Sequence, residues 1–293
     1  MLDVLVRISE PINIGSDTAS EVITRGGGAA ANTACWMGSI GTDVTFAGRI
    51  GSDAAGETLI EDFRKNHVAL SVSRTPEKNT GTVVVIVEPD GERTMFPDPG
   101  ANSGLVFSEL PDAKGFDAIF ISGYALYNPE SYGAVSALVE SANKAEVPIY
   151  FDLASVGTMD RFGRQRILDF LPHVQCAIMN ADEARYLSGK EPLDSATFYT
   201  SLVELSVIKL GSDGAVALKS GQNKVIEEVR INGKSVDVVD TTGAGDAFAA
   251  AFISSLLSGS KLIKALEAGD QLARQCVGDR KSTRLNSSHT VIS

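Results

Sequence analysis

The chain has 293 residues, 43% hydrophobic and 22% charged, enough to bury a full core in one α/β domain with an appendage. Its formal net charge of -11 opposes nonspecific binding to nucleic acid or anionic membranes, which depends on basic surface. No apolar run approaches a membrane span and no basic-then-apolar leader opens the chain; the scattered Cys35, Cys176 and Cys276 suit buried thiols in a reducing cytoplasm, not disulfides or zinc.

Residues 2–8 alternate as Leu-Asp-Val-Leu-Val-Arg-Ile, the period of a strand. Glu21 to Arg25 form a second short strand beyond a loop from Pro11 to Thr18. Gly26-Gly27-Gly28-Ala29-Ala30-Ala31-Asn32 then opens a helix that runs to about Gly38. The run can be read as Gly-x-Gly-x-x-Ala, the dinucleotide fingerprint, but the acid expected after the next strand is missing, since Val44 to Ile50 ends in Gly51-Ser52. Gly51 to Thr58 imitates a P-loop with Glu57 in place of the lysine. A carboxylate there would repel the β- and γ-phosphates, which rejects a Walker-type NTPase.

Thr82 to Glu88 and Arg93 to Pro97 flank Asp90-Gly91, a hairpin turn dipeptide. With the two N-terminal strands they predict a small four-stranded sheet. Asn102, in Gly100-Ala101-Asn102, reads as a turn-capping residue. From about Phe116 short apolar strands (118–122, 147–151, 177–179, 202–208 and 215–218) alternate with helices at 132–145 and 164–171. That pattern predicts a mainly parallel sheet covered on both faces. Asp152, Asn180, Gly211 and Asp240 each follow a strand, so they are placed to meet at one sheet edge, where such folds bind ligands.

Asn180 and Glu183 are three apart at a helix start. The spacing favours a capping box and is compatible with two groups facing one hydrated cation. Lys209-Leu210-Gly211-Ser212-Asp213-Gly214 reads as a strand-to-strand turn whose lysine can pair with a phosphate. Ser235 to Val239 alternate like a strand and run into Asp240-Thr241-Thr242-Gly243-Ala244-Gly245-Asp246-Ala247-Phe248, which opens a helix with Phe248, Phe252 and Leu256 on one face. The first N–H groups of that helix lack intrahelical partners and would favour an anion. Asp246 beside them is either a first-turn capping acid or a base poised for an incoming hydroxyl.

Asp240 to Phe248 resembles the C-terminal signature of the ribokinase-like (PfkB) carbohydrate kinases. Far upstream, Gly27-Gly28-x-x-x-Asn32 followed by Gly51, Asp53 and Gly56 resembles the N-terminal signature of the same family. The resemblance implies a ribokinase-like three-layer α/β fold, with a small β-sheet lid made from residues 2–25 and 81–98. It implies ATP-dependent phosphorylation of a hydroxyl on a sugar or nucleoside, with Asp246 as base and the Gly243, Ala244, Gly245 and Asp246 amides as an anion hole. Asp3, Gly27, Gly28 and Asn32 would orient the sugar, with Asn102 near it; Asn180, Lys209, Gly211 and Gly214 would meet the nucleotide. Asn180 and Glu183 would serve Mg²⁺ through water, and the carbonyls of Asp240 and Thr242 would begin a monovalent-cation (K⁺) loop. In some members the lid mediates dimerisation.

The sequence also departs from that pattern. Met1 begins after the family's first core strand, which is expected to be missing. Lys209 replaces a threonine, Ala29 replaces the lysine that ribokinases carry, and Asp270 stands where asparagine is more usual. Beyond Gly278 the polar run 279–293 has no helical or strand period, so residues 1–278 are expected to be the domain and the rest a non-native or disordered tail. Two alternatives stay open: a noncatalytic sugar- or nucleotide-binding protein on this fold, and an NAD-dependent oxidoreductase.

Overall fold

A computed structural model describes residues 1–90, 92–222, 224–237 and 241–278. The first part of the chain contains β1 (Leu2–Ile8), β2 (Ser20–Gly26), α1 (Ala29–Ser39), β3 (Thr45–Gly51), α2 (Ala54–Lys65), β4 (Ala69–Thr75), β5 (Thr82–Val87) and β6 (Arg93–Asp98). The middle contains β7 (Ile119–Ser122), α3 (Gly123–Tyr127), α4 (Tyr132–Lys144), β8 (Ile149–Asp152), α5 (Val156–Phe162), α6 (Arg164–Phe170), β9 (Cys176–Asn180) and α7 (Ala181–Ser188). The last part contains α8 (Ala196–Tyr199), β10 (Leu205–Lys209), β11 (Ala215–Gly221), β12 (Lys224–Ile231), α9 (Ala244–Leu257) and α10 (Leu262–Gly278).

The predicted four-stranded sheet forms in the order β2-β1-β5-β6. β1 runs antiparallel to β2 and parallel to β5, and β5 pairs with β6 as a hairpin. Strand alternation puts Asp3, Leu5 and Arg7 on the face that lines a cavity. The register sets Asp3 opposite Arg25, and the two mostly buried side chains form an ion pair at 4.0 Å. Pro97 is tolerated because β6 is an edge strand.

The central sheet has the order β12-β11-β10-β9-β8-β7, parallel from β7 to β10, with β11 and β12 antiparallel at one edge. Its inner strands β8 to β10 are largely apolar on both faces, and the period of two separates their side chains into two cores. Phe151, Ala177 and Met179 pack with Val135 of α4, Met159 of α5, Ile167 of α6 and Leu187 of α7. Cys176, Ile178 and Val207 face the other way, onto Phe252 of α9, Leu266 of α10 and Met37 of α1. α9 lies inside this layer, so Ala247 to Ser254 are buried without a polar face. All three cysteines are buried and reduced.

β3 and β4 form a separate parallel pair with their own small core of Ala34, Cys35, Ile50, Leu59 and Phe63. Neither β4 nor α2 is signalled by the motifs read above. Two strand expectations fail locally. The strand expected over 202–208 begins at Leu205, because the Leu202 and Val203 amides bond back to the Tyr199 carbonyl and close a turn. Residues 235–237 form no ladder: Val236 abuts Gly278 at the end of α10, so the alternation there reflects a helix-end contact, not a sheet face. Val238, Val239 and Asp240 lie outside the described residues, as do Gly91 of the predicted hairpin turn and residues 279–293 of the expected tail.

Candidate active site

A cavity of about 2350 Å³ lies between the four-stranded lid and the carboxyl ends of β8, β9 and β10. Asp3, Gly27, Gly28, Asn32 and Asn102 line it from the lid side, and Asn180, Glu183, Lys209, Gly211, Gly214 and Thr242 to Asp246 from the core side. Every predicted site residue except Asp240, which lies outside the described residues, therefore reaches one space.

On the lid side the glycine pair is a steric requirement. A Cβ on Gly27 would collide with the Asp3 carboxylate, so only glycine lets that acid stand against the turn. The Gly28 carbonyl accepts the first helical bond of α1, from Asn32 N. Asn32 then reaches across the cavity, donating from Nδ2 to Asp246 Oδ2 at 2.8 Å. Asn102 ends a short 3₁₀ turn at the rim and is exposed.

On the core side α9 begins without a side-chain cap, at Gly243 with φ 80°. Within that left-handed turn the Ala244 amide donates to the Thr241 carbonyl at 3.3 Å, so one of the four expected anion-hole amides is already engaged. Lys209 Nζ lies 3.2 Å from where a Cβ on Gly245 would stand, so its ammonium sits directly beside the glycine turn. It is held there by Asp152 Oδ2 at 3.0 Å, both side chains being largely buried. Gly211 and Gly214 bound a 3₁₀ turn between β10 and β11 at the cavity wall. Asn180 and Glu183 form the complete capping box of α7: Glu183 N donates to Asn180 Oδ1, while Asn180 N and Nδ2 donate to the Glu183 carboxylate.

A profile of the pfkB family carbohydrate kinases matches residues 7–289. The chain belongs to that family. Among curated relatives, an uncharacterised sugar kinase from Archaeoglobus fulgidus is 27% identical over 82% of this chain and 94% of its own length. A ribokinase from Staphylococcus aureus is 28% identical over 84% of this chain and 80% of its own. The fold matches a crystal structure of adenosine kinase from Sinorhizobium meliloti with a TM-score of 0.86, at 24% identity over 96% of this chain and 92% of that one.

In this pfkB family kinase the cavity floor carries more acid than base. Burial pushes Asp246 up to about 7, opposed by the Asn32 hydrogen bond and reinforced by Asp152. Glu183 is only 2% exposed, and burial likewise raises it to about 7, with Lys209 opposing and Asp152 adding. Burial works to lower Lys209, but Asp152, Glu183 and Asp246 outweigh it and hold the ammonium above the usual lysine range. Asp3 is also raised, chiefly by burial. One fixed ammonium among several carboxylates suits a hydrated divalent cation and a polyphosphate arriving together. Both Glu183 oxygens are occupied by Asn180, so that pair fits Mg²⁺ only through the ion's own water; when bound, the ion would neutralise polyphosphate charge. The Thr242 carbonyl accepts from the Cys276 thiol at 3.5 Å, and Asp240, the other residue of the expected monovalent-cation loop, lies outside the described residues.

Three residues the motifs did not single out for a role also belong here. Asp152 anchors Lys209, and its only sequence signal is its place at the end of β8. Tyr124 lines the cavity, is hydrogen-bonded to Ser155, and is raised chiefly by burial with Asp246 contributing. Arg93 of β6 donates to Thr242 Oγ1 at 2.8 Å, tying the lid to the glycine turn. No local pattern marks an exposed hairpin arginine for that contact.

Proposed function

We propose that this chain transfers the γ-phosphoryl group of ATP to a hydroxyl of a sugar or nucleoside. The acceptor lies between Asp3 and Asn32 on the lid side and Tyr124 on the core side. Asp246 accepts the hydroxyl proton as the acceptor oxygen bonds to the γ-phosphorus and the bond to the β-bridging oxygen breaks, releasing ADP. The amides of Gly243, Gly245 and Asp246, with Lys209 beside Gly245, face the charge that develops on the transferring group in this reading, while the Ala244 amide is held by the Thr241 carbonyl. Asn180, Gly211 and Gly214 flank the nucleotide.

The observation that carries this reading is the Asn32–Asp246 hydrogen bond, which joins the lid-side and core-side motifs at one acid in the first turn of an uncapped helix. A base near 7 at rest suits proton abstraction at neutral pH. The test is phosphoryl transfer from ATP across a panel of sugars and nucleosides, with wild type and Asp246→Asn. Removing the base is expected to lower turnover by ~10²–10⁴-fold with ATP affinity nearly intact. Near-normal kcat in Asp246→Asn would remove Asp246 from that role, and NADH binding without ATP turnover would favour the oxidoreductase reading.

We also infer that the outer lid face pairs two copies of the chain. Val4, Val6, Val22, Val84, Ile86 and Phe96 alternate with the cavity-facing residues, and Val22 and Phe96 are 59% and 54% exposed. Sedimentation of wild type against Val22→Lys with Phe96→Lys tests it; an unchanged monomer in both would discard the dimer.

A further inference from the structure

A base beside an anion hole activates any hydroxyl that reaches it, and water is the most abundant one. The cavity of about 2350 Å³ has room for many waters at about 30 Å³ each, so its walls alone do not keep water from Asp246. A kinase site of this shape needs something that separates its acceptor from water, and the head of α1 supplies it.

Asn32 Nδ2 donates to Asp246 Oδ2 at 2.8 Å. Of the two carboxylate oxygens, Oδ2 is the one turned toward the glycine turn: it lies 4.0 Å from where a Cβ on Gly243 would stand, and Oδ1 lies farther off. The Asn32 amide thus occupies the oxygen that a nucleophile must reach on its way to a phosphoryl group at that turn. α1 is not free to withdraw it. Asn32 N donates to the Gly28 carbonyl, and Met37 packs in one core with Phe252 of α9. Just beyond α1, Thr42 Oγ1 donates to Ser254 Oγ of α9 at 2.7 Å. Exposing Oδ2 therefore means rotating the Asn32 side chain, not moving the helix.

A hydrogen bond to a carboxylate is roughly twice as strong as one between neutral groups. A lone water that replaces the amide gains one such bond and leaves the amide in need of a new partner. An acceptor gains the same bond, while its other hydroxyls meet Asp3 and the displaced amide. Contacts away from the reacting oxygen then offset the exchange. We propose that Asn32 selects against water: with the acceptor absent its amide shields Asp246 Oδ2, and the acceptor is what displaces it. This rests on the kinase reading of the same site and adds to Asn32 a role beyond orienting the sugar. Without the shield, a water oxygen bonds to the γ-phosphorus and the bond to the β-bridging oxygen breaks. The water proton passes to Asp246, and ADP and phosphate leave.

The test measures ADP release from Mg-ATP by the full chain, without acceptor and then with each member of a sugar and nucleoside panel that includes ribose, fructose and adenosine. Assays at about pH 8.5 stand above the raised value of Asp246, so the base is charged. Asn32→Ala should release ADP without acceptor on the order of 10-fold faster than wild type, while its transfer to the acceptor falls. Combining it with Asp246→Asn should return acceptor-free release to the wild-type level or below, because the water then has no base. A purely structural role for Asn32 would lower both rates together, so movement in opposite directions is the signature. Acceptor-free release that is unchanged or slower in Asn32→Ala, beside normal transfer by the wild type, would overturn the inference and leave the kinase reading standing. Transfer by the wild type to no member of the panel would remove the kinase reading and this inference with it.

Discussion

Asn32 Nδ2 donates to Asp246 Oδ2 at 2.8 Å, joining the head of α1 to the first turn of α9 across 214 residues of sequence. The bond favours the charged carboxylate and so opposes the burial that raises Asp246. Asn32→Ala should therefore move the acid limb of the kcat/KM–pH profile to higher pH. It should also raise KM for the acceptor, which is read independently. An acid limb that stays in place would mean that Asn32 does not tune Asp246.

Asp246 also carries a stability prediction with a definite sign. Its folded value near 7 lies above the ordinary 3.8, so the folded state binds that proton more tightly than the unfolded chain. The associated stability is complete below about 4 and is lost as pH rises through 7. Asp246→Asn removes the buried charge, so it should raise Tm at pH 8, by roughly 2–4 °C for each kcal/mol relieved, and leave it nearly unchanged at about pH 4. An equal difference at both pH values would contradict the buried-charge account.

Glu183 can be separated into its two roles. Glu183→Gln keeps an oxygen for the Asn180 amide, whereas Glu183→Ala loses that half of the capping box and should cost about 0.5–2 kcal/mol. If Glu183 also serves Mg²⁺ through water, both variants should need more Mg²⁺ for half-maximal activity. A Tm loss in the alanine variant alone, with identical Mg²⁺ titrations, would leave the pair as a helix cap and nothing more.

The Lys209–Asp152 pair is mostly buried, at 16% and 11% side-chain exposure. Removing one partner leaves an uncompensated charge, so Lys209→Met should destabilise the chain by about 3–5 kcal/mol. Adding Asp152→Leu should recover much of that loss, because an apolar pair can replace a buried ion pair. Turnover should stay low in the double variant, since no ammonium then stands beside the glycine turn. Restored stability with restored turnover would confine Lys209 to a structural role.

Much of this site was legible because its chemistry is local in sequence. Gly27, Gly28 and Asn32 open one helix, and Gly243 to Asp246 open another, so short motifs contain both. Asn180 and Glu183 were legible as a box, and that box forms. Asp152 was legible in its place after a strand but not in its pairing with Lys209, and Tyr124 and Arg93 were not legible at all, because those contacts cross sheets and lid in ways no spacing records. Val236 shows the opposite failure: its alternation with Ser235 and Asp237 mimics a strand, while tertiary packing on the end of α10 decides its place.

The arrangement of α1 has a consequence for how the molecule comes apart. Its Ala31, Ala34 and Cys35 belong to the small core under β3 and β4, whereas Met37 belongs to the large core of α9 and the central sheet. The small core buries fewer apolar side chains, so mild denaturant should open it first, as a separate cooperative unit. Gly27 and Gly28 precede α1 beside that weaker unit and Asn32 bridges from α1 to Asp246, while Asn180, Lys209 and the head of α9 stay with the stronger one. Recognition of the acceptor should then fail at a denaturant concentration that still permits nucleotide binding, which makes this chain a two-step reporter of its own unfolding.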